Sequence, residues 1–238
     1  MTVAIVLAGG SGRRMGSETP KQFIRVDGKP VIAYTLDNFQ RHPEIDAILV
    51  VCIAGWADEI RAIASRNGIG KLRWIVDGGT TGQESIRNGV FALEGICGDG
   101  DVAVIHDGIR PLVDDFVLSD VIRVCRERGA AATAMPYNEQ IFVADDDFSS
   151  TRFIPRETIR RVATPQAYRF GLLDRAYHEA FEKGIGIGGS SYANTMMVEL
   201  GHRIWFAAGS DKNIKLTTPD DLEIFRGYLA RNSREPDR

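Results

Sequence analysis

Val3-Ala4-Ile5-Val6-Leu7-Ala8-Gly9-Gly10-Ser11-Gly12-Arg13-Arg14-Met15-Gly16, followed by Pro20-Lys21-Gln22, decides how the rest of the chain is read. A short apolar run that ends in clustered glycines is a buried strand opening into a loop, and that loop's backbone can approach a ligand closely because glycine has no side chain in the way. Arg13, Arg14 and Lys21 fall within nine positions. The loop therefore offers backbone N–H donors and fixed cations to the same polyanion, which is the chemistry of a phosphate cradle.

Spacing separates the known glycine-rich loops. A Walker A loop closes with Gly-Lys-Ser/Thr onto a helix, and that triplet does not occur. A dinucleotide fingerprint needs G-x-G-x-x-G, whereas Gly10, Gly12 and Gly16 give G-x-G-x-x-x-G, with two arginines where a helix should pack on the sheet. An NAD-binding protein would also end its second strand on an acid to hold the ribose, and here that strand runs into Cys52-Ile53-Ala54-Gly55. A plain strand-turn-helix connection remains the bland alternative, but it has no need of adjacent arginines and a lysine after a proline.

The length of 238 residues suits one α/β domain. A formal net charge of -3 and a pI near 5.9 argue against nucleic acid as a bulk partner, so positive charge is used locally. Cys52, Cys97 and Cys125 are odd in number and widely spaced among apolar neighbours, the pattern of reduced core thiols rather than metal ligands or disulfides. A strand begins within two residues of Met1, and nowhere are there ~18 consecutive apolar residues. A soluble, cytoplasmic protein with no membrane segment is expected.

Apolar runs alternate with helical patterns, as in a mainly parallel sheet covered on both faces. Strands are expected at Ala47 to Ile53, Leu72 to Val76, Val102 to Ile105 and Ala131 to Met135. Helices are expected at Val31 to Phe39, with Pro30 in the first turn, and at Trp56 to Asn67, Gln83 to Leu93 and Phe116 to Arg128. The stretch from Pro136 to Val162 breaks this alternation. Short β-prone pieces flank Asp145-Asp146-Asp147, and Arg152, Arg156, Arg160 and Arg161 follow. This pattern reads as an extended hairpin arm, too thin to bury its own apolar side chains, or as a solvated loop with a charge run.

The string L-A-G-G-S-G-R-R-M-G…P-K-Q resembles the N-terminal signature of nucleotidyltransferases that activate sugar or polyol phosphates. It is most similar to the branch of methylerythritol-phosphate and ribitol-5-phosphate cytidylyltransferases. Resemblance recurs at Asp77-Gly78-Gly79 with Ser85, at His106-Asp107-Gly108-Ile109-Arg110-Pro111, at Thr164-Pro165-Gln166, and at Asn213-Ile214-Lys215 before Thr218-Pro219-Asp220-Asp221-Leu222. The resemblance implies one nucleotidyltransferase domain over residues 1–238: a three-layer, Rossmann-like, mainly parallel sheet of the nucleotide-diphospho-sugar transferase type. From it protrudes a β-arm, residues 137–162, that is exchanged in a homodimer.

The implied reaction is attack of a polyol phosphate on the α-phosphorus of CTP with release of pyrophosphate, served mostly by positioning and cation placement. The resemblance assigns catalysis to Arg14, Lys21 and Lys215. Nucleotide binding falls to Leu7, Ala8, Gly9, Gly10, Gly79, Thr80, Ser85 and Gly108, and the acceptor to Asp107, Arg110, Arg156 and Thr164. In this scheme the start of the helix near Ser85 could donate to the base or an acceptor oxygen, and Arg156 reaches the partner's site. Mg2+ is the expected metal, since it takes phosphate oxygens plus one or two carboxylates, and Asp107 is the candidate ligand. His106, one step earlier on the opposite face of its strand, is structural.

Two blocks depart from the methylerythritol-phosphate pattern. Glu139-Gln140-Ile141-Phe142 stands where those enzymes carry Asp-Thr-Val/Met-Lys, and Tyr192-Ala193-Asn194-Thr195 where they carry Thr-Asp-Glu-Ala. The departures lie on the acceptor side, which favours a ribitol-5-phosphate-type acceptor over methylerythritol 4-phosphate, although ribitol enzymes also tend to carry an acid in the second block. A non-catalytic nucleotide-binding dimer is the further alternative. Against it stand the three phosphate-facing cations, Arg14, Lys21 and Lys215, all present together.

Overall fold

A computed structural model describes residues 1–10, 19–189 and 192–232. In chain order its first half contains β1 (Thr2–Ala8), the tiny ladder of β2 (Arg25–Val26) and β3 (Lys29–Pro30), α1 (Val31–Arg41), β4 (Ala47–Cys52), α2 (Ala57–Arg66), β5 (Leu72–Asp77), α3 (Gly82–Phe91) and β6 (Val102–Asp107). The second half contains α4 (Asp115–Arg128), β7 (Ala130–Pro136), β8 (Ile141–Val143), β9 (Arg152–Ile154), β10 (Arg160–Arg169), α5 (Phe170–Lys183), α6 (Ala193–Glu199), β11 (Trp205–Ala208) and α7 (Pro219–Asn232). Every strand and helix expected from periodicity is present, with ends moved by one or two residues. Pro30 stands just before α1 with φ -61° and ψ 144°, not within its first turn.

Seven strands form one sheet in the order β11-β7-β10-β6-β1-β4-β5, and β10 alone runs antiparallel to its neighbours. The side chains of β1 show why it lies inside the sheet. Ala4, Val6 and Ala8 join the core under α1, α2 and α4, while Val3 and Ile5 join the core under α3 and α5. A strand buried on both faces must be apolar at every position, the continuous run from which it is recognised.

The chain moves outward from β1 to β4 and β5, then returns through α3 to place β6 on the other side of β1. This reversal opens a crevice at the carboxyl ends of β1 and β6, where ligands bind in open α/β sheets. Register puts Leu7 beside Asp107, and Ala8 beside Cys52, itself paired with Asp77. Four loops thus leave the sheet at one level.

The stretch expected as an arm does form a hairpin, with Ile141 opposite Ile154 and Phe142 opposite Phe153. It ends sooner than expected. Arg160, Arg161 and Val162 open β10 and pair with Pro136, Met135 and Ala134 in the main sheet, because the backbone groups at the end of β7 need partners. Phe142, Phe153 and Phe148 are exposed on the hairpin, Phe148 by 98%.

Cys52 and Cys125 are buried, Cys97 is half-buried, and all three are free thiols. Burial raises the Cys97 thiol to about 11 and the Cys125 thiol to about 12, so both stay protonated near neutrality. No helix among the described residues is long and apolar enough to cross a membrane.

Gly89 of α3 faces the sheet with no room for a side chain. A Cβ there would lie 2.8 Å from Val51 Cγ2 and 2.9 Å from Ile5 Cγ2. Alanine would favour the helix by about 1 kcal/mol, but pushing α3 off β1 and β4 costs typically 1–3 kcal/mol. Gly89→Ala is therefore expected to lower stability by up to about 2 kcal/mol in urea unfolding, against the direction of helix propensity.

His106 is wholly buried in β6 beside the ring of Phe39. Its Nε2 lies 3.1 Å from the Arg110 carbonyl, which can only accept, so Nε2 carries the proton, and the buried Nδ1 has no partner among the described residues. Desolvation lowers its pKa to about 4. A group that binds its proton more weakly when folded loses stability as pH falls below its unfolded value near 6.5. Between pH 7.5 and 5, wild type should lose about 2 kcal/mol of unfolding free energy more than His106→Asn, measured by urea titration at each pH. Equal slopes would contradict the burial of a neutral imidazole.

Candidate active site

A cleft of about 940 Å³ lies at the crevice, lined along one wall by Leu7, Ala8, Gly9, Gly10, Lys21 and Gln22 and along the other by Gly79, Thr80, Thr81, Gly82 and Ser85. Asp107 and Ile109, from the end of β6 and the loop after it, and Lys215, Tyr192 and Gly189 complete the lining. Arg13 and Arg14, with residues 11–18, lie outside the described residues.

Local hydrogen bonds shape each wall. Gln22 is buried and its Nε2 donates to the Ala8 carbonyl at 2.6 Å, which draws the Pro20-Lys21-Gln22 turn against the end of β1 and brings Lys21 to the cleft. On the other wall Thr81 caps α3. Its side chain accepts from the Glu84 amide, and the Glu84 carboxylate accepts from the amides of Thr80 and Thr81 and from the Thr80 hydroxyl. Ser85 Oγ accepts from the Gly79 amide and donates to the Thr81 carbonyl. The amides of Gly79, Thr80 and Thr81 are thus engaged within the loop and are not the donors that this helix start would offer a base. A Cβ on Gly79 would fall 2.2 Å from that of Glu84, so only glycine permits this turn.

Charge is concentrated at Asp107. Its Oδ2 receives Arg110 Nε at 2.9 Å and Lys215 Nζ at 3.2 Å, with side-chain exposures of 12% for the aspartate and arginine and 27% for the lysine. Burial alone pushes the Asp107 carboxyl up, but Lys215 and Arg110 outweigh it and hold the group below the usual carboxylate range. It is ionised near neutrality. Arg110 also donates from Nη1 to the Asn213 carbonyl at 2.7 Å, and the Leu216 amide donates to the Ile109 carbonyl at 2.9 Å. These bonds lay the segment carrying Lys215 along the loop after β6, although more than a hundred residues separate them in sequence.

Not every residue expected to touch ligand lines the cleft. Thr164 is buried, its Oγ1 accepts from the Asp107 amide at 3.1 Å, and its carbonyl accepts from Asn213 Nδ2 at 2.6 Å. It holds the site from behind. Gly108 is packed against β1, where a Cβ would meet the Leu7 carbonyl at 3.0 Å, and its amide donates to that same oxygen. Arg110 faces a second, adjoining cavity that shares Lys215 and includes Arg161, Asp211 and Asp221. Arg156, in a short 3₁₀ turn after β9, is exposed and does not line its own chain's cleft. Gln22, Thr81, Gly82, Ile109, Gly189 and Tyr192 line the cleft in addition to the expected residues. Of these, Gln22 was visible beside Lys21 and Tyr192 as a departure from the related pattern.

Among the described residues, ligand atoms of His, Cys, Asp and Glu gather in a group of three at Glu94, Asp174 and His178, none of which lines the cleft. Among the described residues Asp107 is the one carboxylate that lines the cleft, and it is already shared by two cations. The donor set fits an ion carried in on phosphate oxygens and not one caged by protein.

The chain is 56% identical over 229 residues to ribitol-5-phosphate cytidylyltransferase of Lacticaseibacillus paracasei, covering 96% of this chain and 98% of that protein. It is 37% identical over 231 residues to 2-C-methyl-D-erythritol 4-phosphate cytidylyltransferase of Geobacter metallireducens, covering 95% and 96%. Among solved structures, 4-diphosphocytidyl-2C-methyl-D-erythritol synthase of Anaerococcus prevotii superposes with a TM-score of 0.82 at 28% identity, covering 97% and 96%. Residues 2–231 match the model of the family described as IspD, 2-C-methyl-D-erythritol 4-phosphate cytidylyltransferase, and the chain belongs to that family of cytidylyltransferases.

Proposed function

We propose that the chain transfers CMP from CTP to ribitol 5-phosphate and releases pyrophosphate. The observation that carries the acceptor is the 56% identity, over 96% of the chain, with a protein named for that reaction. In the reaction an oxygen of the acceptor phosphate forms a bond to the α-phosphorus, and the bond to the bridging oxygen breaks with its electron pair leaving on pyrophosphate. The attacking oxygen is already anionic at neutral pH, so no side chain need remove a proton. What the protein must overcome is repulsion between two anions and charge growing on the leaving group, which fixed cations offset.

The cleft supports that division of labour. The base and ribose would lie between Leu7 to Gly10 and Gly79 to Ser85, with Lys21 toward the triphosphate, the group that the resemblance assigns to Arg14 as well. Lys215, oriented by Asp107, would face the α-phosphate and the acceptor, with Arg110 on the acceptor side. Asp107 and the phosphate oxygens would hold Mg2+, which supplies further charge neutralisation when bound. The chain would work in the cytoplasm, where CTP is made and thiols remain reduced.

The hairpin supports a homodimer. Phe142 and Phe153 are 59% and 68% exposed on a two-stranded ribbon that cannot bury them itself, and a second copy would cover them. Arg156 beyond this ribbon would then enter the partner's cleft beside the acceptor phosphate. Each arm would clasp the other subunit in an isologous arrangement.

A second reading is transfer to 2-C-methyl-D-erythritol 4-phosphate, favoured by the 37% identity to an enzyme of that name. Pyrophosphate release with CTP and Mg2+ across ribitol 5-phosphate, 2-C-methyl-D-erythritol 4-phosphate, glycerol phosphate and arabinitol phosphate separates the two. The highest kcat/KM should fall on ribitol 5-phosphate, and turnover should cease in excess EDTA. Preference for another acceptor would overturn the first claim, and full activity in EDTA the second.

Lys21→Ala should lower kcat by roughly 10²–10³-fold through lost stabilisation of the transferring group. Arg156→Ala should also be inactive. If sites are shared, a heterodimer of these two chains carries both lesions in one site and none in the other, so activity should return to as much as about half per heterodimer. Absence of recovery in a verified heterodimer would place Arg156 in its own subunit's site.

A further inference from the structure

Tyr192 lines the cleft and is 41% exposed, and Lys215 Nζ lies over its ring at 5.3 Å from the centroid. The same ammonium is 3.2 Å from Asp107 Oδ2. Two different groups therefore define where the lysine's charge sits: a carboxylate and an aromatic face. We propose that Tyr192 is a positioning residue that acts through Lys215, holding its ammonium over the reacting phosphates. The proposal rests on the cytidylyltransferase reading of this cleft and deepens it.

The backbone around Tyr192 is fixed by buried polar groups, so its ring has a defined place. Gln83, on α3, is 1% exposed. Its Nε2 donates to the Tyr192 carbonyl at 3.0 Å and to the Gly186 carbonyl at 3.1 Å, while its Oε1 accepts from the buried Tyr177 hydroxyl at 2.9 Å. Every donor and acceptor of that amide is used, an arrangement that rigidifies its surroundings. Gln166 of β10 accepts from the Asn194 amide at 3.3 Å, and the Tyr192 carbonyl also accepts from the Thr195 hydroxyl at 2.8 Å. The residue is thus tied to α3, whose start forms the nucleotide wall, and to β10, which backs Asp107 through Thr164.

A lysine on a flexible four-carbon stem loses conformational freedom when its head is held. Asp107 alone would hold it where the carboxylate is, at the bottom of the cleft. The aromatic face attracts the ammonium from the open side, and a ring does so without competing for its hydrogen-bond donors. Those donors stay available for phosphate oxygens. The attraction belongs to the ring and not to the phenol oxygen, so phenylalanine should replace tyrosine and an aliphatic residue of similar bulk should not.

Tyr192→Phe and Tyr192→Leu test this in the full-length protein. Tyr192→Leu should lower kcat by about 5- to 30-fold, the factor that one cation–π contact commands between exposed and desolvated settings, while the KM for CTP changes by less than about twofold. Tyr192→Phe should stay within about twofold of wild type. Equal kcat for Tyr192→Leu and wild type, or equal loss in both variants, would overturn the proposal. A second readout needs no turnover: Lys215, reductively methylated with ¹³C and assigned by comparison with Lys215→Arg, should show a ring-current-shifted methyl resonance in wild type and Tyr192→Phe, absent in Tyr192→Leu. An unshifted resonance in wild type, or one that persists in Tyr192→Leu, would overturn the placement. Failure of wild type on every acceptor would instead defeat the proposed reaction and leave the resonance to decide the placement.

Discussion

One buried carboxylate organises the site. Asp107 ends strand β6 at the crevice, where removal from water by itself pushes its carboxyl pKa up. Lys215 and Arg110 reverse that tendency, and all three are largely withdrawn from solvent. A buried ion pair of this kind adds little net stability, because desolvation cancels much of the Coulomb attraction, but losing one partner leaves a costly unpaired charge. Its value here is placement. The pair requires the segment around Asn213 to Lys215 to come back to the sheet, and the bonds from Arg110 to the Asn213 carbonyl and from Leu216 to Ile109 complete that return.

The consequence for chemistry is a cleft lined by two lysines, Lys21 from the turn after β1 and Lys215 from near the end of the chain, with Asp107 as its one carboxylate among the described residues. Preorganised charge is effective in such a place because the protein need not reorient as the reaction proceeds. The second layer sustains it. Thr164, Asn213 and Gln83 are buried polar side chains whose bonds fix backbone at the cleft, not groups that reach into it.

Much of this architecture is legible in the chain. Strands buried on both faces read as unbroken apolar runs, so β1, β4 and β6 are plain, and Asp107 at a strand's carboxyl end marks the ligand side of an open sheet. Clustered glycines beside a lysine mark the loop after β1, of which Gly9, Gly10 and Lys21 line the cleft. Other features depend on contacts distant in sequence. The return of Lys215 to the site follows from its neighbours' bonds to Ile109 and Arg110, which no local pattern encodes. Arg160 to Val162 joins the main sheet because β7 offers it a ladder, whereas three residues after an arginine-rich turn carry no periodicity of their own. Within a recognised block, one sequence also cannot separate side chains that meet a ligand from those that hold the block. Gly108 and Thr164 stand in the same blocks as Asp107, yet one packs on the Leu7 carbonyl and the other on the Asp107 amide.

The account stands on the cleft between β1 and α3 being the nucleotide site, with its phosphates governed by cations from opposite ends of the chain. A crystal structure of the protein with CTP and Mg2+ tests this most directly. The account predicts cytosine and ribose between Leu7 to Gly10 and Gly79 to Ser85, with phosphate oxygens within hydrogen-bond distance of the ammonium groups of both Lys21 and Lys215. Nucleotide bound outside this cleft, or bound within it with its phosphates out of reach of both lysines, would contradict the account.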